Sequence, residues 1–288
     1  MIIDLHRTYL DSGMIVVPHV IDHERVARLR VICEHVLSQW RVCDPENGVP
    51  GIEQPDAFVM RNLNHPAYYE GRREWLVEML ETIADPHILE IVGEVFNDEV
   101  LFRCTSLFMN PLEHSSDGNW HRDSQFVVKS EDEERQMFDA EVEKIRTADR
   151  VSSMQLQIAL VPSEDNQYVP GSHLTWDTPD QRFIRLADGQ KHNRSNLMPD
   201  AVGAHLEPGD MAAFHPFGLH RGRYHADKGR RSLMLTYTAM SAPPMQDQFS
   251  DQPWFLEPGY LDGVSPGARA FFERFIEVYR DYWRRQRS

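Results

Sequence analysis

At Asn97 the texture of this sequence changes, and the change limits the folds open to it. Upstream, apolar residues recur at helical spacing. Asp22 can cap a helix over 23–40 in which Val26, Leu29, Ile32, Cys33, Val36 and Leu37 form one stripe. Two more helical stretches, 72–84 and 86–95, meet at Pro86, which cannot sit inside a helix. Ahead of them Gly13–Val17 reads as a short strand, and 43–66, rich in Pro, Gly and Asn, reads as loop. Downstream of Asn97, short β-type runs alternate with turn residues, at 100–110, 119–128 and 153–161, then near 182–186, 203–207, 211–215 and 231–239. Two helical patterns interrupt this: a charged stretch at 129–148 and an amphipathic one at 266–285 carrying Phe271, Phe272, Phe275, Ile276, Tyr279 and Tyr282. The charged stretch reads as a solvated surface helix, with a lid over a pocket as the sharper alternative. Helices first and strands afterwards suit an α+β fold or a mainly-β fold with flanking helices, and not βαβ alternation.

Composition narrows the partners. A chain of 288 residues can bury a large core without staples. Its 45 acidic against 30 basic side chains give a net charge of −15, so there is no basic stripe to neutralise phosphates and no attraction to anionic membranes. No apolar run approaches a membrane span. The first residues lack the basic-then-apolar pattern of a leader. Three cysteines, Cys33, Cys43 and Cys104, lack metal-type spacing, so no disulfide framework is expected and a reducing, cytoplasmic setting is. No glycine-rich phosphate loop follows a strand. A small-molecule ligand and a monomer or small homo-oligomer are the remaining expectations, with neither nucleic acid nor membrane as partner.

The chemistry gathers around Gly118-Asn119-Trp120-His121-Arg122-Asp123. On a strand, residues i and i+2 project to one face, so His121 and Asp123 can aim an imidazole and a carboxylate at one point. A second histidine from a distant strand would complete a two-histidine, one-carboxylate set, which leaves three positions open on Fe(II). An His-x-Asp alone recurs by chance in many sequences. Here it is followed by Val169-Pro170-Gly171-Ser172-His173, then Pro208-Gly209-Asp210, then Leu219-His220-Arg221-Gly222, then Arg230-Arg231-Ser232.

In that order, and over roughly residues 8–240, these elements resemble the phytanoyl-CoA dioxygenase family of Fe(II)/2-oxoglutarate oxygenases. The resemblance implies a double-stranded β-helix, a jelly-roll barrel of the cupin type. It implies one domain over 1–288, with a helical part at 1–97, a barrel core at 98–240 and a closing helix at 265–286. It also implies His121, Asp123 and His220 as iron ligands, and 2-oxoglutarate and O2 as cosubstrates. The reaction would oxidise, most simply hydroxylate, a C–H bond of a small or medium-sized metabolite, with release of succinate and CO2. The far carboxylate of 2-oxoglutarate would meet Arg231, eleven residues after His220; Arg230 competes, because Arg230-Arg231-Ser232 also fits an Arg-x-Ser pattern. Neighbouring strand residues face opposite sides, so only one of the two can enter the barrel, and Arg231 is preferred. A guanidinium suits the task because it binds a carboxylate bidentately and does not titrate.

Gln155 and Gln157 alternate on a strand that should line the barrel and could hydrogen-bond 2-oxoglutarate or substrate, unless that face is the solvated outside. Arg103 and Thr105 raise the same choice. Arg122, between the two ligands, should point away from the metal. His215 is disfavoured as a ligand against His220, His173 should order a loop, and His225 is either near substrate or on the surface. Where many relatives have Gly-Ser after the second histidine, this chain has Arg221-Gly222, so a hydroxyl contact to 2-oxoglutarate does not transfer. Asp123 argues against the related halogenases, which lack the carboxylate. Two rivals stand beside the oxygenase: a non-oxidative cupin-like protein holding a metal or small ligand, and a metal-dependent hydrolase or isomerase. Neither needs an arginine reserved for 2-oxoglutarate.

Overall fold

The computed structural model describes residues 4–45, 47–48, 50–51 and 57–287. The N-terminal part comprises α1 (Leu5–Ser12), β1 (Met14–Val17), α2 (His23–Val42), β2 (Val59–Arg61), α3 (Arg73–Ile83) and α4 (Pro86–Phe96). Asp22 caps α2 by accepting from the Arg25 amide at 2.8 Å, and Asp85 caps α4 ahead of Pro86. Then come β3 (Val100–Met109), β4 (Ser116–Asp117), α5 (Glu131–Ala148), β5 (Ser153–Ala159), β6 (Ser163–Tyr168) and α6 (Pro179–Gln190). The chain continues through β7 (Val202–Leu206), β8 (Met211–Phe214), β9 (His220–Tyr224), β10 (Arg231–Ala239) and α7 (Pro266–Gln286).

The strands form two antiparallel sheets, one in the order β1-β8-β5-β10-β3-β2 and one in the order β4-β9-β6-β7. This is the jelly-roll architecture the motifs imply, but the two sheets are not hydrogen-bonded into a closed barrel. A cleft between them is left for the site.

Alternation along the central strands decides what fills each side. On β5, β8 and β10, Leu156, Ile158, Met211, Ala213, Leu233, Leu235 and Tyr237 belong to the main core. They face α2, α3, α4 and α7, whose Leu29, Val36, Leu80, Val92, Phe272, Phe275 and Trp283 complete it. The intervening residues, among them Gln155, Gln157, Ser232 and Thr236, face the other sheet. The polarity of the cleft is thus written into strands whose apolar half is bound to the helical jacket.

Three sequence expectations need correction. Residues 182–186 are not a strand but lie in α6, started by Pro179 at its first turn and by a reciprocal Thr178–Gln181 capping box. The charged stretch is a helix but not merely a solvated one, since Glu134, Phe138, Glu141, Val142 and Ile145 of α5 are buried. The loop expected over 43–66 contains β2, which adds to the edge of the large sheet beside β3; residues 46, 49 and 52–56 of that loop lie outside the described residues. Among the described residues the three cysteines are free, and no helix is long and apolar enough to cross a membrane.

Candidate metal centre

His121 and His220 face each other across a single antiparallel bridge, exchanging both backbone hydrogen bonds at 3.0 Å. Their ring centroids lie 4.3 Å apart. After His121 the chain does not continue as the expected strand over 119–128. The Asp123 amide donates to the Pro216 carbonyl at 2.9 Å, and Asp123–Phe126 forms one 3₁₀ turn. The extended Arg122 between the two still puts His121 and Asp123 on one side. The Asp123 Oδ1 lies 3.5 Å from Nε2 of His121 and 3.5 Å from Nε2 of His220. The three ligand atoms fall within 4.8 Å of one another, the one such group tied to a shared point among the described residues.

The backbone fixes which nitrogen each imidazole offers. His121 Nδ1 sits 2.6 Å from the Asn119 carbonyl and His220 Nδ1 2.9 Å from the Gly218 carbonyl. A carbonyl only accepts, so both Nδ1 atoms carry the proton and both Nε2 lone pairs point at Asp123. Gly218 is required here by close approach, because a Cβ would run into the Tyr168 hydroxyl. Burial, with His121 adjacent, pushes the His220 pKa down to about 4, which keeps that ring neutral and able to ligate. Burial raises the Asp123 carboxyl, but His121, His220 and the Gln155 amide outweigh it and leave its pKa below the ordinary value. The Gln155 side-chain amide donates to Asp123 Oδ2, so this glutamine faces the cleft and orients the carboxylate.

The adjacent arginines part company. Arg231 is turned out of the cleft and pairs with Glu34 on α2, Nε to Oε1 at 2.6 Å. The preference for Arg231 is therefore corrected. β10 begins there, and the even-numbered residues Ser232 and Thr236 point inward, so Arg231 falls on the helix side. Arg230 enters the cleft instead and is fully buried. Its Nη atoms donate to neutral acceptors, the Asn166 Oδ1 at 3.0 Å, the Gln157 Oε1 at 3.3 Å and the Arg223 carbonyl at 3.1 Å. The rings of Phe108 and Tyr224 flank it at 5.2 and 5.1 Å. Its Nε has no hydrogen-bond partner, the Asp165 carboxylate standing off at 3.7 Å. Gln157, as expected for a cleft residue, is buried there, its oxygen also receiving Ser232 Oγ and Asn166 Nδ2 at 2.8 Å each.

Arg122 points away from the centre, as expected, into a wholly buried charge ladder. It donates to Asp177 at 2.7 Å; Asp177 also takes Arg185 Nε at 2.7 Å. Arg185 then reaches Glu134 of α5 at 2.9 Å and Gln125 at 3.1 Å, and Ser124 Oγ donates to Glu134 at 3.1 Å. Ser124 and Gln125 belong to the 3₁₀ turn that begins at Asp123. No sequence motif marks Glu134, Asp177 and Arg185, because the contacts that join them to the centre, Arg122–Asp177 and Glu134–Arg185, span 55 and 51 positions.

The remaining candidates fall outside the centre. His215 lies 3.4 Å from Glu141, and His173 is buried with Nε2 3.0 Å from the Leu10 carbonyl, so it ties α1 to the 169–173 loop. His225 lies 3.6 Å from Asp117. Thr105 Oγ1 donates to Asn64 at 3.1 Å on the helix-packed side, and Arg103 pairs with Asp247 at 2.7 Å, so neither lines the cleft. Phe126 stands 5.2 Å from the His121 ring and is two-thirds exposed, at the mouth of the cleft.

Comparison with known proteins bears on this arrangement. A search of curated sequences finds no match. Among solved structures, the α-ketoglutarate-dependent epimerase SnoN from nogalamycin biosynthesis is 20% identical, with 91% of this chain and 88% of that chain covered and a TM-score of 0.55. The carbocyclase SnoK of the same biosynthesis is 17% identical over 93% and 92%, TM-score 0.55. EctD from S. alaskensis, solved with 2-oxoglutarate and 5-hydroxyectoine, is 17% identical over 92% and 85%, TM-score 0.59. At these identities the likeness is one of fold. The family model for phytanoyl-CoA dioxygenase (PhyH) matches residues 9–232, a span holding His121, Asp123, His220 and both arginines. The chain belongs to the phytanoyl-CoA dioxygenase family of 2-oxoglutarate-dependent non-haem iron enzymes.

Proposed function

We propose that this chain is a dioxygenase that hydroxylates a C–H bond of a small or medium-sized metabolite, consuming 2-oxoglutarate and O2 and releasing succinate and CO2. The observation that carries the reading is the pairing of two features in one cleft. One is the His121–Asp123–His220 set with both Nδ1 protons fixed. The other is Arg230, a buried guanidinium whose hydrogen bonds go to neutral acceptors, with Nε making no hydrogen bond and Asp165 standing off at 3.7 Å. The donor set fits Fe(II), since two neutral imidazoles and one carboxylate form the facial arrangement that leaves positions open. Arg230 fits the far carboxylate of 2-oxoglutarate, with Gln157, Asn166 and Ser232 holding the guanidinium in place.

Iron bound by the three ligands would supply the O2-dependent oxidation of 2-oxoglutarate and of substrate. The protein's own residues do the rest. Gln155 holds the Asp123 carboxylate toward the two imidazoles. The Asn119 and Gly218 carbonyls keep the rings from rotating. The apolar half of the large sheet packs against the helices, which closes the core side of that sheet to water.

The test is anaerobic iron titration followed by succinate release under O2. His121→Ala, Asp123→Ala and His220→Ala should each lose iron binding and 2-oxoglutarate turnover. A His220→Ala protein with full iron content and turnover sinks the ligand set. With a turned-over substrate, mass spectrometry should show a product gaining one oxygen atom; loss of two hydrogens without oxygen would show another oxidation.

A further inference from the structure

We propose that Asp165 is the resident counter-ion of Arg230, and that by competing with the far carboxylate of 2-oxoglutarate it sets how much of that cosubstrate the protein requires. The inference rests on the oxygenase reading above, in which Arg230 takes that carboxylate, and adds a residue that works against it.

Regular alternation would send Asp165 out of the cleft. Asp165 and Asn166 are neighbours on β6, and neighbours on a regular strand face opposite sides. Asn166 faces the cleft, where it meets Gln157 and Arg230. The strand is not regular here. Against β7, Ser163 pairs with Leu206 and Asn166 with Ala204, so three steps along β6 answer two along β7. Such a bulge re-aims side chains. Asp165 is turned in beside Asn166 and is 7% exposed, whereas Glu164 before it stays exposed next to His205. Ser163 Oγ donates to Asp165 Oδ2 at 3.0 Å and fixes that oxygen. The same oxygen stands 3.7 Å from Arg230 Nε, the one carboxylate within 4 Å of this guanidinium among the described residues.

That separation is short for two charges and too long for a hydrogen bond. The guanidinium takes its orientation from others, namely Asn166 Oδ1, Gln157 Oε1 and the Arg223 carbonyl. Asp165 therefore contributes charge and not direction. A buried guanidinium without an anion is costly, and before the cosubstrate binds Asp165 meets that need. When the far carboxylate of 2-oxoglutarate arrives, two anions share one cation, and their repulsion subtracts from the attraction. Arg230 is fully buried, so solvent ions screen little of this.

The experiment is oxygen-free calorimetry on Fe(II)-loaded protein with two ligands, 2-oxoglutarate and 2-oxopentanoate. The second keeps the chelating end and lacks the far carboxylate. Asp165→Asn should bind 2-oxoglutarate about fivefold or more tighter than the unmodified protein, a modest part of the repulsion between two nearby carboxylates at an effective dielectric of about 20. Its affinity for 2-oxopentanoate should stay unchanged, which a general change in the packing of the site would not leave so. Without metal or cosubstrate, the same variant should unfold at lower urea. The double variant Asp165→Asn/Arg230→Gln, which leaves neither charge of the pair, should recover part of that loss, and it serves equally if Asp165→Asn alone does not fold. The proposal is overturned if Asp165→Asn binds 2-oxoglutarate no tighter, if it tightens 2-oxopentanoate as much, or if the double variant is no more stable than the single one. Failure of the oxygenase reading shows separately, as unmodified protein that takes up Fe(II) but binds no 2-oxoglutarate; the urea comparison then still tests the counter-ion.

Discussion

Arg230 and Arg231 are chemically identical, adjacent, and placed in opposite environments. Arg230 is sealed between the sheets under Phe108 and Tyr224, whereas Arg231 holds Glu34 at the surface, with their side chains 22% and 55% exposed. Removing them should therefore have unlike effects. Arg230→Ala should raise the 2-oxoglutarate concentration needed for half-maximal succinate release by about tenfold or more, as loss of a charge-assisted pair would. Arg231→Ala should leave that concentration unchanged and lower stability by at most about 1 kcal/mol, the worth of a half-exposed ion pair. Parallel 2-oxoglutarate titrations and urea melts of the two variants decide it; equal titrations would remove Arg230 from the pocket. The sequence pattern offered both residues, and spacing favoured the one that the fold turns outward. Which of two neighbours faces inward depends on where β10 begins, and that is set by pairing with β3 and β5, not by local residues.

At the scale of elements, the metal centre rests on segments with no ligand of their own. The 3₁₀ turn after Asp123 is clamped by α5 through Glu134 and by α6 through Arg185, with Asp177 between two arginines. The side chains of Arg122, Asp177 and Arg185 are wholly buried, and that of Glu134 nearly so. Asp177→Ala leaves two buried guanidinium groups without their shared anion. It should lower the unfolding free energy by about 3–5 kcal/mol, the cost of breaking a buried pair. Iron affinity should fall in the variant under conditions where it remains folded, because the turn carrying Asp123 loses its anchor. Urea melts of metal-free protein and iron titration check both; a melt identical to the unmodified protein's would show the ladder to be dispensable. This accounts for the 129–148 stretch better than solvation does. Its acidic residues looked like a solvated face, since four stand in the first turn, but one of those four, Glu134, is a buried partner of Arg185.

The molecule as a whole buries several titratable groups in their uncharged or paired forms. Burial pushes His65 and His220 down to about 4 and His173 down to about 3. Unfolded, these histidines take up protons near pH 6.5, so between about pH 6.5 and 4 the unfolded chain binds more protons than the folded one. Stability should therefore fall as pH falls through that window. Glu141 adds to the loss below it: burial opposes its ionisation, but His215 and Ser152 hold its pKa down to about 2, so the stability it contributes above about pH 4.5 disappears as pH falls toward 2. The melting temperature of metal-free protein, followed from pH 7 to 4, should decline throughout. A flat profile would mean that the histidines are not held neutral by the fold.

The sequence by itself determined most of the helices and strands, the membership of the His121–Asp123–His220 set and the polar face of β5, because periodicity and motif spacing are properties of neighbouring residues. Only the tertiary structure decided that Asp123 starts a turn and not a strand, and that the sheets stay open around a cleft. It also turned Arg230 and not Arg231 inward, and brought Glu134, Asp177 and Arg185 together beneath the centre. These outcomes depend on strand register and on charges meeting across 51 and 55 positions of chain. A one-residue change of register exchanges the two faces of a strand, and no local pattern records which distant charge will be buried beside which.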